Sequence, residues 1–105
     1  MISRDVIVEA VRILQEAAPQ STVILFGSYA RGDATDESDL DFLVVEPSVV
    51  RRRSEMVRLR DVLRPLRIPV DVLVTSRQVF DSWSRAPGSV LCQAAREGLV
   101  FDAVA

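Results

Sequence analysis

Two aspartates, Asp39 and Asp41, open the apolar run DLDFLVV at 39–45, and a third, Asp71, sits inside PVDVLV at 69–74. Aspartate is a poor strand former, and a carboxylate is costly to bury without a partner. On a strand, residues two apart project to the same face, roughly 6.5–7 Å apart along the chain. Asp39 and Asp41 are therefore expected to point together, with Leu40 and Phe42 on the other side. Two convergent oxygen donors suit a hard cation such as Mg²⁺, which fills its remaining positions with water and phosphate oxygens. If the two runs are neighbouring strands, three carboxylates meet at one end of a sheet. Their repulsion would raise their pKa values unless cations neutralise them. Two divalent ions ~3.5–4 Å apart would do so, and could bind both the attacking and leaving oxygens of a phosphoryl displacement. Alone, an Asp-x-Asp at a strand start reads as a turn or a cap; Asp71 in a second apolar run strengthens the chemical reading.

A further signal precedes the acids. The apolar run TVILF, 22–26, breaks at Gly27-Ser28, and YARG follows. Gly27 lets the backbone approach a ligand closely, and Ser28 supplies a hydroxyl donor. If YAR opens a helix, its N-terminus favours phosphate, and Arg31 stands near enough for charge-assisted contacts. Gly-Ser before Arg-Gly reads as a plain turn by itself; its spacing to Asp39 and Asp41 gives it weight.

Composition narrows the chemistry. The chain has no histidine and no lysine, which excludes histidine acid–base catalysis, histidine metal ligands, Schiff-base lysines and a Gly-Lys-Ser/Thr phosphate loop. One cysteine, Cys92, allows neither an internal disulfide nor a cysteine metal cluster, and reads as a small buried hydrophobe. Carboxylates and arginines must carry the chemistry. The 105 residues, 49% apolar and 27% charged, are expected to form a single domain over 1–105. No apolar stretch approaches a membrane span, and the N-terminus lacks a signal-peptide core. A cytoplasmic protein without a membrane partner is expected.

Around the candidate site, the pattern predicts an α/β (α+β) domain, a small mixed sheet flanked by helices. Helical spacing covers 4–18, with Ser3 as N-cap and Pro19 as the stop. Strands are expected at 22–26, 39–45 and 69–74, the second apolar on both faces after its first three residues, as in a sheet covered on both sides. A helix is expected over 49–64, with Val49, Met56, Leu59 and Leu63 in one stripe and Pro65 ending it. Two short helices, 76–84 and 88–97, flank Pro87-Gly88, and 98–103 reads as a weak final strand at an edge. Trp83 and Phe80 are expected as core anchors.

Charge is uneven. Seven arginines between Arg51 and Arg67 face only Glu55 and Asp61. Arg53, Arg60 and Arg64 fall on one side of the predicted helix, about a quarter-turn from the apolar stripe. The plain reading is a solvated face; the sharper one is a landing site for an acidic partner or RNA. Direct nucleic-acid binding is not expected.

Gly-Ser, ten residues, Asp-x-Asp, and a further Asp on a later strand resemble the nucleotidyltransferase domains of the DNA polymerase β superfamily. Gly27, Ser28, Asp39, Asp41 and Asp71 carry the match across the chain. GSYARG with SDLDFLV is most similar to minimal nucleotidyltransferases of prokaryotes, and APGSVLCQAAREGLVF resembles that family's C-terminal end. The resemblance implies that Asp39, Asp41 and Asp71 hold two Mg²⁺ ions, with Mn²⁺ as an alternative, and that ATP is the donor. It implies further that Asp71 helps deprotonate the acceptor hydroxyl, that Gly27 and Ser28 hold the outer phosphates, and that Arg31 assists them or braces the loop through Asp33 or Asp36. Minimal members often pair with a helical HEPN-type ribonuclease, transferring AMP to a tyrosine of that toxin as its antitoxin. The resemblance leaves two other readings open: neutralisation by stoichiometric contact without chemistry, and transfer to a small-molecule hydroxyl. A homo-oligomer is compatible with either.

Overall fold

A computed structural model describes residues 1–102. Helix α1, Arg4–Ala17, begins where the Ser3 hydroxyl accepts the Val6 N–H, a side-chain cap for an otherwise unpaired amide. It ends just before Pro19, whose ring and missing N–H stop a helix. Strand β1, Thr22–Phe26, is buried along its whole length, and the one-turn helix α2, Ser28–Arg31, follows directly. Strand β2 is Leu40–Glu46. Helix α3, Arg52–Val62, leads through a 3₁₀ turn at Arg64–Leu66 into strand β3, Val70–Ser76. Helices α4, Arg77–Trp83, and α5, Val90–Glu97, precede strand β4, Leu99–Phe101. The expected final strand reached Ala103, which lies outside the described residues.

The four strands lie in the order β3-β2-β1-β4. β1 runs antiparallel to both β2 and β4, whereas β2 and β3 are parallel, as the intervening helical crossover requires. The sheet is mixed and both of its faces are covered. Leu40, Phe42 and Val44 point with Val23 and Leu25 into the larger cluster, which holds Ala10, Leu14, Leu59 and Leu63 of the α1 and α3 layer. Leu43 and Val45 point the other way with Ile24 and Phe26, against Ala94, Leu91 and Phe80 of the α4 and α5 layer. Phe42 and Leu14 are fully buried; each contributes about 2 kcal/mol of apolar transfer.

Two sequence expectations change. The helix starts at Arg52 instead of residue 49, so Val49 packs on the core from the preceding loop. Trp83 is not a core anchor: it is 56% exposed at the last residue of the two-turn α4, while Phe80 packs against the smaller cluster. A singly exposed aromatic is tolerated because the polar surface cannot cover a small domain completely. Cys92 is buried and unpaired, as expected. At the open edge of the sheet, Arg52 Nε donates to the Val74 carbonyl at 2.7 Å, occupying an acceptor that would otherwise invite a further strand. No helix among the described residues is long and apolar enough to cross a membrane.

Candidate active site

The strand registers bring the acids together. Phe26, the last residue of β1, pairs with Asp41 on β2, and Asp41 pairs with Asp71 on β3. Paired residues on adjacent strands share a face, about 4.8 Å apart, so Asp41 and Asp71 project side by side. Alternation puts them in the layer of Leu43 and Leu73 rather than that of Phe42. Asp39, expected to open the strand, stands one residue before β2, and its charge still acts on Asp41. The antiparallel β1 then delivers Gly27-Ser28 to this end of the sheet, because its C-terminus meets the N-terminus of β2.

Gly27 is required where it stands. Its backbone lies at φ 79° and ψ −157°, a region essentially closed to residues with a Cβ. A Cβ there would stand 3.1 Å from Asp41 Cγ and nearer still to Oδ2. The turn and the central carboxylate are thus in van der Waals contact. Beyond it, the Gly27 carbonyl accepts the N–H groups of Ala30 and Arg31 at 3.1 and 3.0 Å, closing α2 and aiming the Arg31 side chain back over the turn.

Asp41 is half-buried while Asp39 and Asp71 are exposed. Burial, and then the charges of Asp71 and Asp39, push the Asp41 carboxyl above the usual aspartate range; Arg31 pulls it partly back. Among the described residues no arginine forms a salt bridge with any of the three. No group of three potential ligands among the described residues is drawn close enough to form a finished metal centre. An all-oxygen set with no protein cation fits a hard divalent ion, which would draw the three together.

One residue of this site escaped the sequence reading. Glu97 closes α5, and its Oε1 accepts three donors: Gly27 N–H at 3.0 Å, Arg31 Nη1 at 3.1 Å and Gln93 Nε2 at 2.9 Å. These donors hold its carboxyl below the usual glutamate range, Gln93 foremost. Arg31 is also braced from the other side by Asp33, Nε to Oδ2 at 3.2 Å. The expected bracing of the loop through an acidic neighbour is therefore present, with Asp33 and the unforeseen Glu97 as the acids. Asp36, the other candidate, pairs with the N-terminal amine. The only sequence signal for Glu97 was its place in the stretch REGLVF, far from the turn it holds.

The sequence model of the Nucleotidyltransferase domain family matches residues 7–90. Two putative protein adenylyltransferases of Methanocaldococcus jannaschii are similar in part. One is 46% identical over 43 residues, 40% of this chain and 29% of the relative. The other is 74% identical over 23 residues, 22% of this chain and 23% of the relative. The matched region thus spans less than a third of either curated relative. Among solved structures, a toxin–antitoxin complex with AMP-PNP aligns at TM-score 0.66 and 22% identity, covering 98% of this chain and 75% of the other. A complex of a tri-AMPylated Shewanella oneidensis HEPN toxin with its MNT antitoxin aligns at TM-score 0.63 and 19% identity, covering 98% and 74%. At these identities the structural likeness speaks for the fold.

Proposed function

The chain belongs to the nucleotidyltransferase domain family, and from that premise we propose that it transfers AMP from ATP to a hydroxyl group of a protein. The acceptor we propose is a tyrosine of a HEPN-type toxin, which the transfer would neutralise. The observation that carries this reading is the register that lines up Phe26, Asp41 and Asp71 with the Gly27 turn at one end of the sheet. Support for the acceptor class comes from the fold shared with an antitoxin bound to an AMPylated toxin.

In the proposed reaction, Ser28 and the Gly27 turn hold the outer phosphates, and Arg31 offers the N–H groups that Asp33 and Glu97 leave free. Asp39, Asp41 and Asp71 would hold Mg²⁺ or Mn²⁺, which when bound supplies charge neutralisation for the triphosphate and the departing pyrophosphate. Asp71 accepts the proton of the attacking hydroxyl. The hydroxyl oxygen forms a bond to the α-phosphorus as the bond to the β-phosphate oxygen breaks. Most of the acceleration comes from holding these groups in line, because phosphoryl transfer asks little covalent chemistry of the protein.

Incubation with α-labelled ATP, Mg²⁺ and a purified HEPN-type toxin protein as acceptor tests the proposal. Label should appear on a tyrosine of that partner and vanish in Asp39→Asn/Asp41→Asn. If the double variant still binds and neutralises the partner as the unaltered protein does, neutralisation is stoichiometric and the enzymatic reading fails. Label on a small molecule instead of the partner would redirect the acceptor.

A further inference from the structure

A cleft of about 380 Å³ opens beside the acids, and nothing in the proposed reaction yet uses it. Asp41 and Asp71 stand on its wall. From there it runs round the open edge of β3, between α3 and the start of α5. Met56, Val57 and Val90 give it an apolar lining, and Arg53 and Arg60 face into it from α3. Val57 and Val90 are 58% and 47% exposed, so the rim is apolar as well. Neither arginine has an acidic partner in any salt bridge among the described residues.

The side on which this cleft lies decides what it receives. Attacking and leaving oxygens of a phosphoryl transfer lie roughly in line through phosphorus. Ser28 and Arg31, the groups suited to the leaving pyrophosphate, follow β1. The sheet order then runs from β1 through Asp41 on β2 to Asp71 on β3, and the cleft, which starts at Phe26 and Asp41, extends past Asp71 to the α3 residues. Its α3 end lies on the side opposite Ser28 and Arg31, where an in-line attacker enters. An aliphatic hydroxyl on a short side chain would leave the apolar channel unfilled. A phenol fills such a channel with its ring and carries its hydroxyl to the far end.

Resting on the nucleotidyl-transfer reading above, we propose that this cleft is the acceptor subsite, and that it takes a tyrosine borne on an acidic segment of a partner protein. The ring lies between Met56, Val57 and Val90, and acidic residues flanking the tyrosine meet Arg53 and Arg60. The phenolic oxygen bonds to the α-phosphorus, its proton passes to the Asp71 carboxylate, and pyrophosphate leaves towards Ser28 and Arg31. The arginines of α3 thus select the segment, while the apolar channel selects the residue.

The test uses two short synthetic peptides, identical except that one is centred on Glu-Tyr-Glu and the other on Lys-Tyr-Lys. Each is offered with α-labelled ATP and Mg²⁺ to the unaltered protein and to Arg53→Glu/Arg60→Glu, whose changes fall on exposed positions. The unaltered protein should label the acidic peptide about tenfold more efficiently, as two partly exposed charge pairs allow. The charge reversal should invert that preference and leave ATP affinity within about twofold. Equal labelling of both peptides by both proteins overturns the proposal. So does a charge reversal that weakens ATP binding about tenfold while the acidic preference persists, since the cleft would then hold the nucleotide. If the unaltered protein labels neither peptide, the transfer reading is decided separately by labelling of the HEPN-type protein in the assay above. Docking is then decided by fluorescence anisotropy of the dye-labelled acidic peptide: binding lost in the reversal variant supports the cleft, and unchanged or absent binding refutes it.

Discussion

Replacing Gly27 by alanine adds one methyl group at the point where turn and carboxylate touch. Two penalties follow from the geometry. The backbone at φ 79° and ψ −157° costs a residue with a Cβ about 1–3 kcal/mol. The added Cβ, 3.1 Å from Asp41 Cγ, forces that side chain out of its rotamer, another 1–3 kcal/mol by analogy with overpacking. A total near 4 kcal/mol lowers the melting temperature by about 16–32 °C for a domain of this size. Thermal unfolding followed by circular dichroism measures the sum, and the same change in an Asp41→Ala background separates the parts. There the overlap with the carboxylate disappears, leaving the backbone penalty and a Cβ approach of 3.3 Å, which gives a coupling of at least ~1 kcal/mol between the two positions. ATP-dependent labelling should fall in Gly27→Ala as far as in Asp41→Ala, because both displace the same carboxylate. An identical cost in both backgrounds would show that turn and carboxylate are not in contact, and the geometric argument for the site would fail.

Other perturbations probe the supporting groups. Glu97→Ala removes the acceptor shared by Gly27, Arg31 and Gln93; KM for ATP should rise about tenfold, the value of charge-assisted hydrogen bonds, with kcat little changed. Glu97→Gln, which keeps an oxygen for the Gly27 N–H, should recover part of the loss, and a KM within twofold in the alanine variant would deny Glu97 a positioning role. Asp71→Asn removes a like charge directly opposite Asp41, so the metal-free variant should melt about 2–4 °C higher. Mg²⁺ should then raise the melting temperature of the unaltered protein but not of the variant. Burial first, and then the neighbouring Glu55 carboxylate, push Glu46 up to about 7, and its Oε2 is enclosed without a partner. Its folded form holds the proton more tightly than the unfolded chain, so this group's contribution is intact below about pH 4.5 and is lost as pH rises through 7. Glu46→Gln should flatten urea-derived stability between pH 5 and 7 and gain about 1 kcal/mol above pH 7, the shift being discounted for partial solvent screening; a variant with the original slope would assign the pH dependence elsewhere.

Much of the fold was legible because its signals are local. TVILF and DLDFLVV are bounded by turn chemistry, and the acids inside the second and third apolar runs are anomalies that require an explanation. The same reading placed Gly27-Ser28 before a helix start, and α2 begins there. What lay beyond reach depends on partners distant in sequence. That Asp41 and Asp71 share a register is set by how the α3 crossover returns to the sheet. That Glu97 holds Gly27 depends on α5 packing across β1, which no spacing along the chain encodes. Trp83 was misread for a related reason: its type suggested burial, but the short α4 presents Phe80, not Trp83, to the smaller cluster.

The two directions of strand pairing differ in how much chain each must close. β1 and β2 form an antiparallel pair joined by a local connection, so Gly27 and Asp41 meet as soon as that hairpin closes. Asp71 arrives only when a parallel partner has been brought round by α3, a non-local step that pays its loop-closure entropy before any contact repays it. The turn and the first two acids are thus joined by a short stretch of chain, whereas the third is tied to them only through the crossover. Whatever loosens the seating of α3 therefore loosens the trio before it loosens the turn.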